Sequence, residues 1–195
     1  MLYSINMETR PLTIVHVAPA QDISSGDFVY RVRQPDEALS SLPGVAVASI
    51  NNICTCAADL CTGADLLVLQ LLGDPDMLPI VDYRRKKGLP TVFEISDNFL
   101  DFQADNPASR FYEQPENRAV ILHLISMCDA AQATVPAIAE KFAPYNRRVE
   151  VFQNPRTLSS SPETASTPSI ETFVAGVVVS DPVGGPGLMS TAREG

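Results

Sequence analysis

Between residues 12 and 152 the chain alternates short apolar, β-branched runs with stretches whose apolar residues recur at helical spacing. LTIVHVAP, residues 12–19, is the first run, short, apolar and β-branched and closed by Pro, which suits a strand buried on both faces of a parallel sheet. In FVYRVRQPDEALSSLPG the apolar positions Phe28, Val29, Val32, Ala38, Leu39 and Leu42 predict a helix that Pro35 interrupts or restarts and that Pro43 and Gly44 end. VAVASI, residues 45–50, reads as a second strand, followed by an Asn- and Cys-containing stretch that is loop or a short helix. ADLLVLQLL, residues 64–72, is a third strand that needs cover on both sides. A helix over residues 75–87 and a fourth strand over 89–96 follow. After a long acidic and aromatic connection come a helix ending near Cys128, a short strand at 131–135, a helix over 136–142 and a last strand in VEVFQNP.

This order predicts an α/β fold: a doubly wound, mainly parallel Rossmann-like sheet over residues 1–155, connected by right-handed crossovers. Beyond Pro155 the alternation stops, and RTLSSSPETASTPSIET reads as the start of a low-complexity or disordered tail over residues 156–195. No fixed-period repeat suggests a solenoid or propeller.

Composition changes this picture little: 45% hydrophobic and 19% charged residues are ordinary for a globular chain. Charge adds more, because a formal net charge of -9 argues against phosphate-neutralising nucleic-acid binding and adsorption to anionic lipid. The dense positive run YRRKKG, residues 83–88, reads as favourable charge at a helix C-terminus before a Gly cap. No secretory h-region or membrane-length apolar stretch is visible, which predicts a cytoplasmic protein without a transmembrane segment. Cys54, Cys56 and Cys61 form C-x-C-x4-C without a second ligand pair, and Cys128 lies far off in an apolar helical pattern. The thiols are therefore expected to be reduced non-ligands, with metal or redox chemistry as the alternative. His16 and His123 could complete a metal site only through tertiary contacts, and no metal is predicted.

In an open parallel sheet the loops beyond the strand carboxyl ends are the candidate ligand sites. Neither G-x-G-x-x-G nor G-x-x-x-x-G-K-[ST] occurs, so both common phosphate-binding fingerprints are missing. Ser24, Ser25 and Gly26 precede a helix, where exposed amides can hold an anion with help from Arg31 or Arg33; plain N-capping is the alternative. At the end of the fourth strand Glu94 and Asp97, with Asn98 beside them, can accept hydroxyl hydrogen bonds or supply a base. The alternative there is a capping role for Asp97 and a lysine partner for Glu94. No G-x-S-x-G elbow supports a hydrolase.

Taken together, ADLLVLQLL, IVDYRRKKGLPTVFEISDNF, SMCDAAQATVPAIAEKF and VEVFQNP resemble, in order and spacing, the N-terminal half of GT-B glycosyltransferases of the retaining, family-4-like type. The resemblance covers residues 12–155. It implies transfer of a sugar from a nucleotide-sugar donor to a glycan or other acceptor, with no further cofactor. It places Asp97 as a catalytic carboxylate, Ser25, Gly26, Arg31, Glu94 and Asn98 on the acceptor or phosphate side of an interdomain cleft, and Asn154 and Pro155 at the interdomain hinge. Ser96 stands where many relatives carry another Asp. The donor-binding second domain of the family is not recognisable after Pro155, so the expectation is an incomplete, inactive transferase whose tail is a truncated or out-of-frame remnant. A non-catalytic Rossmann-like binding module, completed by a partner that supplies the missing half, is the alternative. A flavodoxin-like or receiver-like domain is a weaker third.

Overall fold

A computed structural model describes residues 10–20, 25–101 and 109–152 of the chain. Ser24, the hinge residues Asn154 and Pro155, and the tail lie outside these residues.

Six parallel strands form one sheet: β1 (Leu12–Ala18), β2 (Val45–Asn51), β3 (Leu66–Gln70), β4 (Thr91–Ile95), β5 (Ala130–Ala133) and β6 (Val149–Val151). Their order across the sheet is β2-β1-β3-β4-β5-β6. All five pairings are parallel. The predicted α/β, Rossmann-like class is therefore what the chain forms. Helical segments fill the connections: α1 (Gly26–Phe28), a π-helical turn (Val29–Arg33) and α2 (Gln34–Ser40) precede β2, and α3 (Ala57–Gly63) precedes β3. α4 (Met77–Lys87) precedes β4, α5 (Ser109–Tyr112) and α6 (Pro115–Met127) precede β5, and α7 (Pro136–Phe142) precedes β6.

Sheet order decides which face each helix covers. The step from β1 to β2 runs one way and every later step runs the other, so right-handed crossovers put α1–α2 on one face and α3, α4, α6 and α7 on the other. The core divides accordingly. Val15, Val17, Leu67, Leu69, Phe93 and Ile95 pack with Cys61, Val81, Ile121, Leu124 and Phe142 of the later helices. The alternate strand positions Ile14, Leu66, Val68 and Val92 pack with Leu39 of α2. β3 and β4 are buried at every position, so both faces select mostly apolar residues, with Gln70, Thr91 and Glu94 as the buried polar exceptions.

The helix after β1 accommodates Pro35 instead of stopping at it. Proline has no N–H to give the Arg31 carbonyl four residues back, and its ring crowds that carbonyl. The wider π turn over Val29–Arg33 precedes it, closed by the Gln34 N–H on the Val29 carbonyl, and Pro35 falls in the first turn of α2.

Gly88 ends α4 in the left-handed region at φ 67°, as the sequence predicts. The basic run before it is not uniformly solvated, however. Arg84 is fully buried and donates to Thr91 Oγ1 at 3.0 Å, the Cys61 carbonyl at 2.6 Å, the Ala64 carbonyl at 2.8 Å and the Pro90 carbonyl at 2.6 Å. It ties the end of α3 to the start of β4, satisfying loop carbonyls that would otherwise be buried without donors. Asn146 does the same nearer the other edge, donating to the Ile125 and Cys128 carbonyls at 2.7 and 2.9 Å. Among the described residues no helix is long and apolar enough to cross a membrane.

Candidate functional site

Two segments far apart in sequence meet at the carboxyl ends of the central strands. β4 alternates Phe93 and Ile95 toward the later helices, so Glu94 between them faces α1–α2, and there it is completely buried. The π turn presents Arg31 to the same place, its Nε 3.3 Å from Glu94 Oε1. Arg31 Nη1 also donates to the Phe152 carbonyl at 3.2 Å, which links the turn to the end of β6. Glu94 thus pairs with an arginine, not with the lysine that sequence reasoning offered. Arg31 is itself buried and is not a solvated charge, whereas Arg33 is exposed and lies 4.0 Å from Glu37 one helical turn on.

The electrostatics are those of a crowded, dry cluster. Burial pushes Glu94 up to about 8, Arg31 opposes that rise, and Asp27 and Asp97 add to it. Burial lowers Arg31 from its ordinary value even though Glu94, Asp27 and Asp97 surround it. Asp97 is raised by its own burial and by Asp27, with Arg31 opposing. Three carboxyl groups face one guanidinium, so the cluster favours holding a proton, or a hydroxyl-bearing neutral ligand, over a phosphate.

Several polar atoms here lack hydrogen-bond partners among the described residues: Arg31 Nη2, both Glu94 carboxyl oxygens, Ser96 Oγ and Asn98 Oδ1. The Arg31–Glu94 contact is close enough for an ion pair but is not aligned as a hydrogen bond. Buried polar groups are normally satisfied, and such a concentration of exceptions marks a place that a ligand or water completes.

The structure brings Arg31, which sequence reasoning set beside Ser25 and Gly26, together with Glu94 and Asp97, with Asn98 following in the same loop. Asn98 Nδ2 donates to Asp101 at 3.1 Å. Ser25 has the plainer role of N-cap: its Oγ accepts from the Phe28 N–H at 3.2 Å. Gly26 begins α1, solvent-exposed. Ser25 thus takes the N-capping alternative, and Arg31 turns to Glu94. The carbonyl of Asp97, not its side chain, accepts from the Phe99 N–H.

Sequence reasoning missed the neighbouring cleft. A cavity of about 560 Å³ opens at the ends of β1, β2 and β3, lined by Asn52, Leu71, Gly73, Asp74, Phe111 and Tyr112 among others. Asn52 Nδ2 donates to Asp74 Oδ2 at 2.9 Å, and the Ala20 N–H donates to Asn52 Oδ1 at 3.0 Å. Tyr112 connects the cleft to the charged cluster, since its phenol is pushed up to about 12 by burial and by Asp97 and Asp27. Phe111 meets Tyr112 edge-on at 5.1 Å and lies over Gly73, where a Cβ would come within 3.0 Å of its ring. Leu71 turns the chain out of β3 at φ 39°, a left-handed conformation that costs a leucine of order 1 kcal/mol and that commonly accompanies functional sites. Asp27 had a signal that was passed over, an acid in the loop beyond a strand carboxyl end; Tyr112 and Leu71 had none, because their places depend on tertiary packing.

No protein-family model matches the chain, and no curated protein matches it.

Proposed function

We propose that residues 10–152 are the acceptor-side domain of a GT-B glycosyltransferase-like protein, binding a hydroxyl-rich acceptor in the cleft between Asn52, Tyr112 and the Glu94–Asp97 loop. The observation that carries this reading is the set of buried polar atoms without hydrogen-bond partners on Arg31, Glu94, Ser96 and Asn98, in a cluster that Tyr112 connects to a cleft with an aromatic wall. Sugar hydroxyls are donors and acceptors at close spacing, so they suit carboxylates and amides that await partners, and sugar rings suit an apolar wall such as Phe111. Asp97, half-buried and raised from its ordinary value by that burial and by Asp27, is the carboxylate we assign to the acceptor hydroxyl, where it accepts its hydrogen bond and takes its proton as transfer proceeds. The order and spacing of the sequence elements support the family. A GT-B transferase closes its active site between two such domains, and the described residues hold one. Binding of acceptor without turnover is accordingly the expected behaviour of this domain.

Calorimetric titration of the chain with a panel of oligosaccharides and of sugar nucleotides tests the reading. Saturable oligosaccharide binding that Asp97→Asn weakens by about tenfold or more, the loss of one charge-assisted hydrogen bond, is expected. Binding of sugar nucleotides to these residues, or failure of every saccharide to bind a correctly folded chain, overturns it. Oligosaccharide binding indifferent to Asp97→Asn leaves a non-catalytic saccharide-binding module and removes the catalytic assignment.

A further inference from the structure

β2 ends at Asn51, and the chain reaches α3 through two consecutive turns. The Cys54 N–H donates to the Asn51 carbonyl at 3.1 Å and the Ala57 N–H donates to the Cys54 carbonyl at 3.0 Å. The second turn folds Cys54 and Cys56 onto the same side, with their sulfurs 3.0 Å apart. Cys56 is exposed and Cys54 partly so, and a dissolved oxidant can reach both.

The two thiols are not equivalent. Cys54 is held below the ordinary thiol value, first by its hydrogen bond with the Cys56 sulfur and then by the Cys56 backbone N–H. Cys56 is raised, first because its hydrogen is engaged with Cys54. One sulfur is thereby the better nucleophile at neutral pH, and the other keeps its proton until it attacks in its turn. The remaining cysteines are poor competitors. Burial pushes Cys61 up to about 11 and pushes Cys128 up further still, and both are inaccessible.

We propose that Cys54 and Cys56 form a redox-active dithiol that a hydroperoxide converts to an intrachain disulfide. The Cys54 thiolate attacks one oxygen of hydrogen peroxide, forming an S–O bond as the O–O bond breaks; the departing hydroxide takes a proton and leaves as water. Cys54, now a sulfenic acid, is attacked at sulfur by Cys56, whose proton passes to the departing hydroxyl as the S–S bond forms and the S–O bond breaks. Two thiols and one peroxide give one disulfide and two waters, and an external dithiol reverses the oxidation by exchange. A metal is the weaker occupant of this pair, since no group of three or more His, Cys, Asp and Glu suited to a metal ion occurs among the described residues.

The pair sits on the segment that carries Asn52 and Ile53, which line the cleft of about 560 Å³. Closing the disulfide fixes this segment, and oxidation therefore acts at the cleft rim whatever ligand the cleft takes.

The test uses the full reduced chain, treated with a small excess of hydrogen peroxide, quenched, and followed by intact mass and by thiol titration after denaturation. The expected result is a loss of about 2 Da, reversed by dithiothreitol and mapped to the peptide containing both residues. Titratable thiols fall from four to two. Cys56→Ser halts the reaction at a Cys54 sulfenic acid that dimedone traps, while Cys54→Ser slows oxidation at least about tenfold and gives no dimedone adduct at residue 56. A disulfide that involves Cys61 or Cys128, disulfide-linked dimers as the only product, or unchanged mass in a chain whose thiols titrate normally overturns the proposal.

Discussion

Glu94→Gln probes the charged cluster most directly, because glutamine keeps the shape of the carboxyl group and removes its titration. The ordinary glutamate value of 4.5 becomes about 8 in the folded chain, chiefly through burial. Between those values the folded state binds more protons than the unfolded state, so the contribution of Glu94 to stability is full below about 4.5 and is lost as the pH rises through about 8. Each pH unit in that window costs up to about 1.4 kcal/mol. The variant carries a neutral amide at every pH and escapes the loss. Near pH 5 to 6 it is expected within about 1 kcal/mol of the parent, since an amide replaces a protonated acid. By pH 9 it should be the more stable of the two by roughly 2–4 kcal/mol. Urea unfolding of both chains at unit intervals from pH 5 to 9 reads the difference, with other titrations cancelling. Parallel pH profiles would refute the reasoning. So would a variant weakened by about 3 kcal/mol or more at pH 6, because that is the signature of a broken buried ion pair and would mean that Glu94 is ionised there.

Arg84→Ala removes the donors of the Cys61, Ala64 and Pro90 carbonyls and opens a cavity, so a loss of about 3–5 kcal/mol is expected in urea unfolding; a loss under about 1 kcal/mol would show that water replaces the guanidinium. Gly73→Ala drives a methyl group into the Phe111 ring and Ile121, with contacts of 3.0 and 3.1 Å, and should cost about 1–3 kcal/mol. Combining it with Phe111→Ala should recover part of that cost, and additive losses would mean that the two residues do not meet.

Where sequence and structure agree, the agreement rests on local physics. The central strands of the sheet are legible because a strand covered on both faces is largely apolar, as in residues 66–69. The Gly88 cap is legible because only a left-handed residue ends α4 in that way. Arg84 had only a faint signal: helical spacing puts it on the face of Met77, Ile80 and Val81, unlike the three cations beside it, but the partners that satisfy its charge there are carbonyls 20 and 23 residues away. The sulfur contact between Cys54 and Cys56 lies between these cases, since C-x-C spacing permits it but the turn at Cys54–Ala57 produces it.

The location of the charged cluster follows from the topology rather than from a motif. The chain reverses direction across the sheet after β2, which leaves the first connection alone on its face while the later helices share the other. Gln70, Glu94 and Gln132 are in register on that sparsely covered face, at the carboxyl ends of three adjacent strands. A polar row there would be costly under a continuous helical layer. Beside the π turn it meets a guanidinium instead, because the wider backbone turn that accommodates Pro35 includes Arg31, the residue that reaches both Glu94 and the end of β6. The proline that looked like a helix interruption in the sequence thus belongs to the same device as the buried Arg31–Glu94 contact. A change at Pro35 that restores regular α-helical pitch should rotate Arg31 away from Glu94.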